Sequence, residues 1–499
     1  MTSPPPPPPA TFPVFPALSL AAVVIGGLLA WALVPQFGLA EPGAMAPSAT
    51  ALALGLLFGV AVAAAREVNA VFRAEHLLMV GLVFWVLLDG IQGSYPLDDA
   101  TPGQLAHAVL AIALFAAMIW AGSAAAASYV RLSWGTMPAQ DVGASFLFWA
   151  GIVAFVVGNL QPLIGCRLSP GCLADSLFVK RFHEPWLQHG GFGQWDTVLL
   201  RLRYFGYLVL PIALAMYRIE RRVSWQVFVI GTLAIVFVLF LIGNGQRSTV
   251  GTVAGASLLV WTLLGARMTL GRMLGIVLAV AAALVVMQAM IMWRDVGFEQ
   301  AMRQGLSLHK EGQAGLAVDS NLLYLTYAIC VVPDLHPYTD WSGVMHVLLS
   351  PFPGSILPES WQIGQINLPG YMGMDLGPRF SWTASVVGDL HIIAGWFGVA
   401  VGGLLFGCLA QLASRLLHGP LSVRRTLLYA FAAMTLFMSL RVLDQLVLSA
   451  FIVGAFWLLL VVRGLAVGAR TTPTAGVHFG RRYEADGAPR GSGAQRRNS

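Results

Sequence analysis

Four arginines in this sequence lie at the ends of long apolar segments, where a charged side chain is costly. They are Arg247, Arg294, Arg379 and Arg441. An arginine at the centre of a bilayer costs about 2.5–3.5 kcal/mol, so each of them is expected to face a polar cavity or the membrane surface. The alternative is that each reaches lipid headgroups or pairs with a neighbouring acid, as Arg294 would with Asp295 and Arg441 with Asp444.

The segment GNGQRSTV, residues 243–250, indicates what chemistry an arginine would do there. Gly243 and Gly245 allow a sharp turn, and Arg247 stands at the start of the next apolar run, where unpaired N–H groups favour anions. A guanidinium keeps its charge and matches a phosphate with two hydrogen bonds. Several such groups at one membrane surface predict a site for a lipid-linked diphosphate, and hence for a polyprenyl-diphosphate sugar.

Two further residues, Asp389 and His391, lie in the segment SWTASVVGDLHIIAGWFGVAVGGLLFG at 381–407. Either could accept a proton from a reacting hydroxyl, and the sequence does not choose between them. Asp389 could instead pair with one of the arginines, and His391 could be a buried structural histidine. The glycines that follow predict close packing of this segment against another helix.

Three tryptophans are candidates for contact with glycan, because an indole ring can stack on a sugar ring. They are Trp341, Trp361 and Trp382. The alternative is that they are aromatic residues at the membrane interface. No carboxylate-rich or His/Cys pattern with metal-ligand spacing is present in the sequence, and we expect neither a metal nor another cofactor.

The elements that must position these residues are transmembrane helices. Of the 499 residues, 57% are hydrophobic and 10% are charged, whereas about a quarter of an average soluble domain is charged. Apolar runs of about 17 to 25 residues predict an all-α membrane protein with about twelve spans. They lie near 17–35, 49–65, 76–92, 105–127, 142–160, 198–217, 225–243, 248–266, 272–293, 384–413, 426–441 and 447–463. We expect no soluble domain, no internal repeat and no nucleic-acid partner.

The distribution of arginine predicts the orientation of these spans. If the N-terminus is cytoplasmic, the inner loops contain Arg66, Arg73, Arg131, Arg218, Arg221, Arg222, Arg267, Arg272, Arg415, Arg424 and Arg425. The outer loops near 36–48 and 91–104 contain no Lys or Arg, in agreement with the positive-inside rule. Both termini are therefore expected in the cytoplasm.

Outside the spans, the sequence predicts two terminal tails. Residues 1–16 form a Pro-rich N-terminal tail, residues 17–470 the polytopic membrane domain, and residues 471–499 a basic tail. The last segment is polar, small and basic, a composition typical of disorder.

Two outer segments, 161–197 and 294–383, are too long for simple turns. The second is expected to be ordered on the membrane surface, with an interfacial or re-entrant helix at 320–332. The first contains Cys166 and Cys172, and an oxidising compartment would permit a disulfide between them.

Three motifs within residues 240–410 resemble those of the bacterial oligosaccharide repeat-unit polymerases, the Wzy-like O-antigen polymerases. They are the hinge Gly245-Gln246-Arg247-Ser248, the segment SPFPGSILP from Ser350 to Pro358, and the small-residue run with Asp389, where relatives often carry Glu. The predicted number of spans and the large outer segment are also similar to that family.

The resemblance implies a metal-independent glycosyltransferase in the bacterial inner membrane, active on the periplasmic face. It would transfer a glycan from undecaprenyl diphosphate to a hydroxyl of the next lipid-linked repeat unit, making O-antigen, capsule or exopolysaccharide. Arg247, Arg379 and Arg441, with Arg294 as a fourth candidate, would bind the leaving diphosphate. Asp389 or His391 would be the general base. Its partners would include a chain-length regulator and a flippase.

Two other functions remain open from the sequence. A ligase that transfers finished glycan to another acceptor, such as lipid A core, would use the same donor and leaving group. A flippase or other transporter of lipid-linked oligosaccharide would place polar residues near the midplane and commonly has repeated halves. The predicted charges cluster at one face instead, which favours an enzyme.

Overall fold

The protein is all-helical in the part of the chain that the structure describes. The structure is a computed structural model, and it describes residues 15–39, 41, 43–94, 100–129, 142–177, 195–265, 270–304, 316, 319–352, 368–371, 384–418 and 421–471. Regular structure in these ranges is helical, without a β-strand. The predicted fold class, an all-α membrane protein, is confirmed at this level.

Helices occupy all twelve ranges that the apolar runs predict. In chain order the helices are α1 (Pro16–Ala32), α2 (Ala46–Arg66), α3 (Ala74–Gln92), α4 (Pro102–Tyr129), α5 (Ala144–Gly158), α6 (Leu160–Gly165), α7 (Pro170–Ser176), α8 (Trp195–Leu202), α9 (Val209–Glu220), α10 (Trp225–Gly243), α11 (Arg247–Leu263), α12 (Leu270–Val296), α13 (Phe298–Gln304), α14 (Asn321–Val331), α15 (Asp340–Leu349), α16 (Leu368–Tyr371), α17 (Ser385–Ser414), α18 (Val423–Ser439) and α19 (Asp444–Thr471). A 3-10 turn joins α8 to α9.

Within the described residues, eight helices are long and apolar enough to cross a membrane. They are α2, α3, α4, the continuous α8–α9 segment, α10, α12, α17 and α19. The other predicted spans coincide with α1, α5, α11 and α18, which have 17, 15, 17 and 17 residues. Since about 20 residues are needed to cross the hydrocarbon core, the total of twelve spans stays a prediction.

The two long segments that the sequence predicts to be outer contain more helix than expected. In the first, α6 and α7 follow α5 directly, and Pro170 begins α7 at the position where a missing N–H costs nothing. The second segment starts later than predicted, because α12 continues to Val296. It then contains α13, α14, α15 and α16, and α14 coincides with the short helix predicted at 320–332. The membrane depth of α14 stays a prediction.

The close packing predicted from the glycines of α17 is present, and its partner is α4. A Cβ at Gly403 would lie 2.6 Å from the carbonyl oxygen of Phe115, and one at Gly407 would overlap the carbonyl oxygen of Ile119. Gly122 on α4 makes the reciprocal approach to the backbone of α17. Glycines four residues apart thus let the two backbones touch.

Helix α17 is broken after its second turn. Ala394 has φ −154° and Gly395 has φ +57° and ψ −141°, so the helical hydrogen-bond ladder is interrupted there. The backbone N–H of Thr339 donates to the freed carbonyl of Ile392 at 3.1 Å. Only glycine fits the break, because its φ is positive and a Cβ would lie 2.7 Å from the Tyr338 hydroxyl.

A buried charge network joins α3, α4 and α17 at the end of α17 opposite to Asp389. Arg73, which is predicted to lie in a cytoplasmic loop, is only 2% exposed. It donates to Glu75 at 3.0 Å and to Gln411 at 2.9 Å, and Ser414 donates to Glu75 at 2.6 Å. Ser123 on α4 completes the set with a bond to Glu75 at 3.2 Å.

The chain divides into two compact units, residues 1–457 and 458–499. The first contains helices α1 to α18 and the beginning of α19. In the second, the described residues are the remainder of α19, up to Thr471.

Candidate functional site

The site is built from the residue that begins α11. Gly245 turns the chain with φ +65°, and its N–H donates to the carbonyl of Ile242 at 3.0 Å, closing the end of α10. Arg247 is then the first residue of α11. The turn is also tied to the end of α12, because Trp293 Nε1–H donates to the same Ile242 carbonyl at 2.8 Å.

Arg247 and Arg441 meet on one carboxylate, that of Asp319. Arg247 Nη2 lies 3.5 Å from Asp319 Oδ1, and Arg441 Nε pairs with Asp319 Oδ2. The three side chains are 21%, 29% and 18% exposed for Arg247, Arg441 and Asp319 respectively. The local partner considered for Arg441, Asp444, is therefore not the acid that holds it. Two guanidiniums from distant parts of the chain surround one anionic group.

Asp389 contacts the turn that carries Arg441. Its Oδ2 accepts the backbone N–H of Leu443 at 2.8 Å, and the N–H of Val386 donates to the Leu440 carbonyl at 3.0 Å. The first turn of α17 is thus docked on the α18–α19 turn, residues 440–443. This contact places the candidate base against Leu443, two residues after Arg441 in the chain.

His391 lies on a different side of α17 from Asp389. Residues two apart on an α-helix point about 200° apart, and His391 Nε2 lies 3.2 Å from the Val332 carbonyl, with its ring 5.3 Å from that of His107. It is 1% exposed. The structure brings Asp389, and not His391, to the α18–α19 turn that contains Arg441.

A second group of polar residues lies near the same α18–α19 turn and was not predicted from the sequence. Arg201 on α8 donates to the backbone carbonyl of Ser350, the first residue of the Pro-rich motif, at 3.0 Å. Tyr204 lies near the side chains of Arg201 and Gln445. Asp444 lies near enough to Arg201 for a favourable charge interaction. Ser350 is thus held by Arg201, which in turn lies near Asp444 at the start of α19.

Several predicted site residues lie outside the part that the structure describes. They are Arg379, Trp361, Trp382 and the side chain of Arg294, whose backbone belongs to α12. Trp341 is described, on α15, and is 69% exposed. Cys166 and Cys172 form a disulfide with their Cα atoms 5.5 Å apart. The described residues contain no group of three or more His, Cys, Asp or Glu arranged to hold a metal.

Sequence reasoning missed Asp319 and Arg201. Asp319 is 72 residues from Arg247 and 122 from Arg441, a separation that no local pattern reveals. The available signal was that a lone acid stands immediately before the apolar helix α14. For Arg201 the signal was an arginine at the predicted outer end of a span, the property that singled out the other four.

Comparison with known proteins finds no matching family model, no matching curated protein and no matching solved structure. The features available for assigning a function are therefore those of the site itself. These are two converging arginines, the carboxylate between them and the acid on the adjoining turn.

Proposed function

We propose that this protein is a membrane glycosyltransferase that polymerises undecaprenyl-diphosphate-linked oligosaccharide repeat units into a surface polysaccharide. The observation that carries the proposal is the convergence of Arg247 and Arg441 on Asp319. Two guanidiniums that already hold an anion have the charge and the donor geometry for a diphosphate. The resemblance of the surrounding motifs to the Wzy-like polymerases supports a sugar-carrying lipid as the molecule that contains this diphosphate.

The proposal includes an orientation in the membrane. About twelve spans cross a bacterial inner membrane, with both termini in the cytoplasm and the arginine pair at the periplasmic face. The positive-inside rule supports it, since the segments near 36–48 and 91–104, which contain no Lys or Arg, are expected on the same side as residue 247. A site at that face would reach lipid-linked repeat units exposed to the periplasm.

Asp319 acts as a resident anion that the substrate displaces. Each ion pair between partly exposed side chains contributes only about 0–1 kcal/mol. A diphosphate carries more charge than one carboxylate and offers more oxygens for charge-assisted hydrogen bonds. The donor can therefore replace Asp319 between Arg247 and Arg441 without a large free-energy cost.

The atoms and electrons of the transfer reaction balance without a cofactor. The acceptor hydroxyl oxygen forms a bond to the anomeric carbon of the donor sugar, while the bond from that carbon to the diphosphate oxygen breaks. The diphosphate leaves with the bonding electron pair, and fixed guanidiniums stabilise its developing charge. The hydroxyl proton passes to a general base.

Asp389 is the better candidate for that base, and His391 the second. Oδ2 of Asp389 accepts the Leu443 N–H, while Oδ1 has no hydrogen bond among the described residues and can accept the proton. His391 instead contacts Val332 and His107. The proposed site also includes Arg294 and Arg379 as further diphosphate contacts and the three tryptophans as glycan contacts. The proposed partner proteins are a chain-length regulator and a flippase.

The decisive experiment is a reaction with the purified full-length protein and a synthetic polyprenyl-diphosphate repeat unit, with chelator and no divalent metal. A ladder of products on a gel is the expected result. Consumption of donor only when a different acceptor is added would instead identify a ligase. Movement of lipid-linked sugar across vesicles without any reaction would identify a transporter.

A variant of Asp319 tests the displacement step within the same assay. Asp319→Asn removes the competing charge, and we expect donor to bind about fivefold more tightly, which corresponds to about 1 kcal/mol. Glu41→Gln, an exposed acid in another turn, is the matched control. Weaker donor binding by a normally folded Asp319→Asn protein would contradict displacement.

A further inference from the structure

A basic cavity lies at the opposite end of α11 from Arg247. It has a volume of about 210 Å³ and lies between the end of α9, the end of α11 and the beginning of α12. Its lining includes Arg218, Trp261, Thr262, Arg272, Gly275 and Ile276. Trp261 is 14 residues after Arg247, so at 1.5 Å per residue the two ends of α11 are about 21 Å apart. The cavity is therefore separate from the site proposed above.

Two guanidiniums line this cavity. Arg218 stands 3.5 Å above the centre of the Trp261 ring and donates to the Trp261 carbonyl at 3.2 Å. Arg272 approaches from α12, with Nη1 beside Gly265, and is near enough to Arg218 for the two charges to repel each other. A bound anion would relieve that repulsion.

Polar atoms in the cavity wall have unmet hydrogen-bonding capacity. Arg218 Nε and Thr262 Oγ1 are both buried and have no hydrogen-bond partner among the described residues. A buried donor without a partner destabilises the protein, because it loses its hydrogen bonds to water without replacing them. These atoms belong to the same cavity wall as the guanidiniums, so the oxygen atoms of one ligand could form hydrogen bonds with all of them.

The neighbouring surface is apolar and belongs to a helix that qualifies as a membrane span. On α12 the side chains of Leu274, Val277 and Leu278 are 58%, 62% and 60% exposed. Ile276 on the same helix lines the cavity. A ligand with a charged head and an apolar tail would match both the cavity and this surface.

We propose that this cavity binds the phosphate of an anionic phospholipid, with the acyl chains lying along α12. Basic pockets between transmembrane helices on the cytoplasmic side are suited to anionic headgroups, and Arg matches phosphate oxygens with paired donors. The cavity stands at the end of α11 that the predicted orientation places in the cytoplasmic leaflet. The binding site does not depend on the glycosyltransferase proposal.

The test is native mass spectrometry of the purified full-length protein titrated with phosphatidylglycerol or phosphatidylcholine. Arg218→Gln and Arg272→Gln are each expected to lower the preference for phosphatidylglycerol about fivefold, because a basic residue near the headgroup is worth about 1 kcal/mol. Arg222→Gln is the matched control, since Arg222 is exposed in the turn after α9 and does not line the cavity. An equal loss in the control, or no loss in either variant, would overturn the site.

Gly275→Leu tests the cavity without removing a charge. A Cβ at Gly275 meets no atom within 4 Å, so the larger side chain should fold normally and fill the space that the headgroup needs. We expect it to lower phosphatidylglycerol binding as the arginine variants do. Unchanged binding in this variant would exclude the cavity as the lipid site.

Inorganic phosphate, added in large excess, distinguishes a lipid from a soluble ligand. The apolar face of α12 contributes to a lipid and not to a free ion, so the phosphatidylglycerol signal should persist. Displacement of the lipid by inorganic phosphate would overturn the assignment to a phospholipid.

Discussion

The carboxylate of Asp319 pairs with two guanidiniums, whose residues lie 72 and 122 positions away in the chain. A carboxylate between two arginines cancels much of their charge, which makes the pair tolerable in a membrane protein before substrate arrives. The same pairs are individually weak because they are partly exposed to solvent. The arrangement is therefore stable enough to hold the arginines in place and weak enough to exchange one anion for another.

Arg247→Lys tests whether the geometry of the guanidinium matters. Lysine keeps the charge but loses the planar paired donors, and a hydrogen bond to a charged group is worth about 1.5–3 kcal/mol. We expect kcat/KM for the donor to fall about ten- to a hundredfold. Arg222→Lys is the control, and unchanged product at a normal protein level would remove Arg247 from the diphosphate site.

Asp389→Asn tests the base. The amide oxygen can still accept the Leu443 N–H, so the docking of α17 should survive while the proton acceptor is lost. We expect kcat to fall about 10²- to 10⁴-fold, with His391→Gln as the comparison variant. If Asp389→Asn retains wild-type turnover and His391→Gln does not, the base is His391.

At the scale of the helices, α17 determines where the site can be. Its glycines lock its second half against α4, and the break at Gly395 sets the direction of its first half, which carries Asp389. The carbonyl freed at the break is capped by Thr339 from the segment before α15. The outer segment and α17 are thus connected by the same irregularity, which is tolerated in a membrane helix when neighbouring groups satisfy the backbone.

Gly407→Val measures the strength of this helix contact. A side chain there would overlap the Ile119 carbonyl, and overpacking of this kind costs about 1–3 kcal/mol. We expect a lower melting temperature in detergent and less folded protein. Gly454→Val is the matched control, because a Cβ at Gly454 meets no atom within 4 Å. Equal stability of the two variants would contradict the packing.

At the scale of the whole molecule, arginines form two separate clusters, one at each end of α11. The Arg247–Asp319–Arg441 cluster and the Arg218–Arg272 cavity stand at opposite ends of α11. The buried ion pair of Arg73 and Glu75 has no net charge, and removing one partner of such a pair costs about 3–5 kcal/mol. The two ends of α11 therefore have different proposed ligands, a lipid-linked diphosphate at one end and an anionic phospholipid at the other.

The orientation is tested with reporters fused after Asp340 and after Arg222. Asp340 begins α15 in the predicted outer segment, and Arg222 lies in the turn between α9 and α10. We expect the first reporter on the periplasmic side and the second in the cytoplasm, because arginine-rich turns are retained inside. Cytoplasmic accessibility after Asp340 would reverse the orientation and the placement of the site.

A helical membrane protein could be predicted from the sequence alone, because long apolar runs and scarce charge leave helices as the way to satisfy the backbone in lipid. The sequence also singled out Arg247, Arg441 and Asp389 from the cost of charge near a bilayer, and the glycines of α17 as a packing surface. The extra helices in the outer segments were missed, because those segments are rich in Pro and Gly and their short helices depend on tertiary contacts.

Which of these residues meet depends on how the helices pack and could not be predicted from the sequence. Asp319 joins two arginines, Leu443 holds Asp389, and Arg201 holds Ser350 through contacts between residues that are far apart in the chain. The separation of Asp389 from His391 likewise depends on what each face of α17 touches. Such pairings follow from how helices pack in three dimensions, and periodicity along one segment contains no information about the partner that its side chains will find.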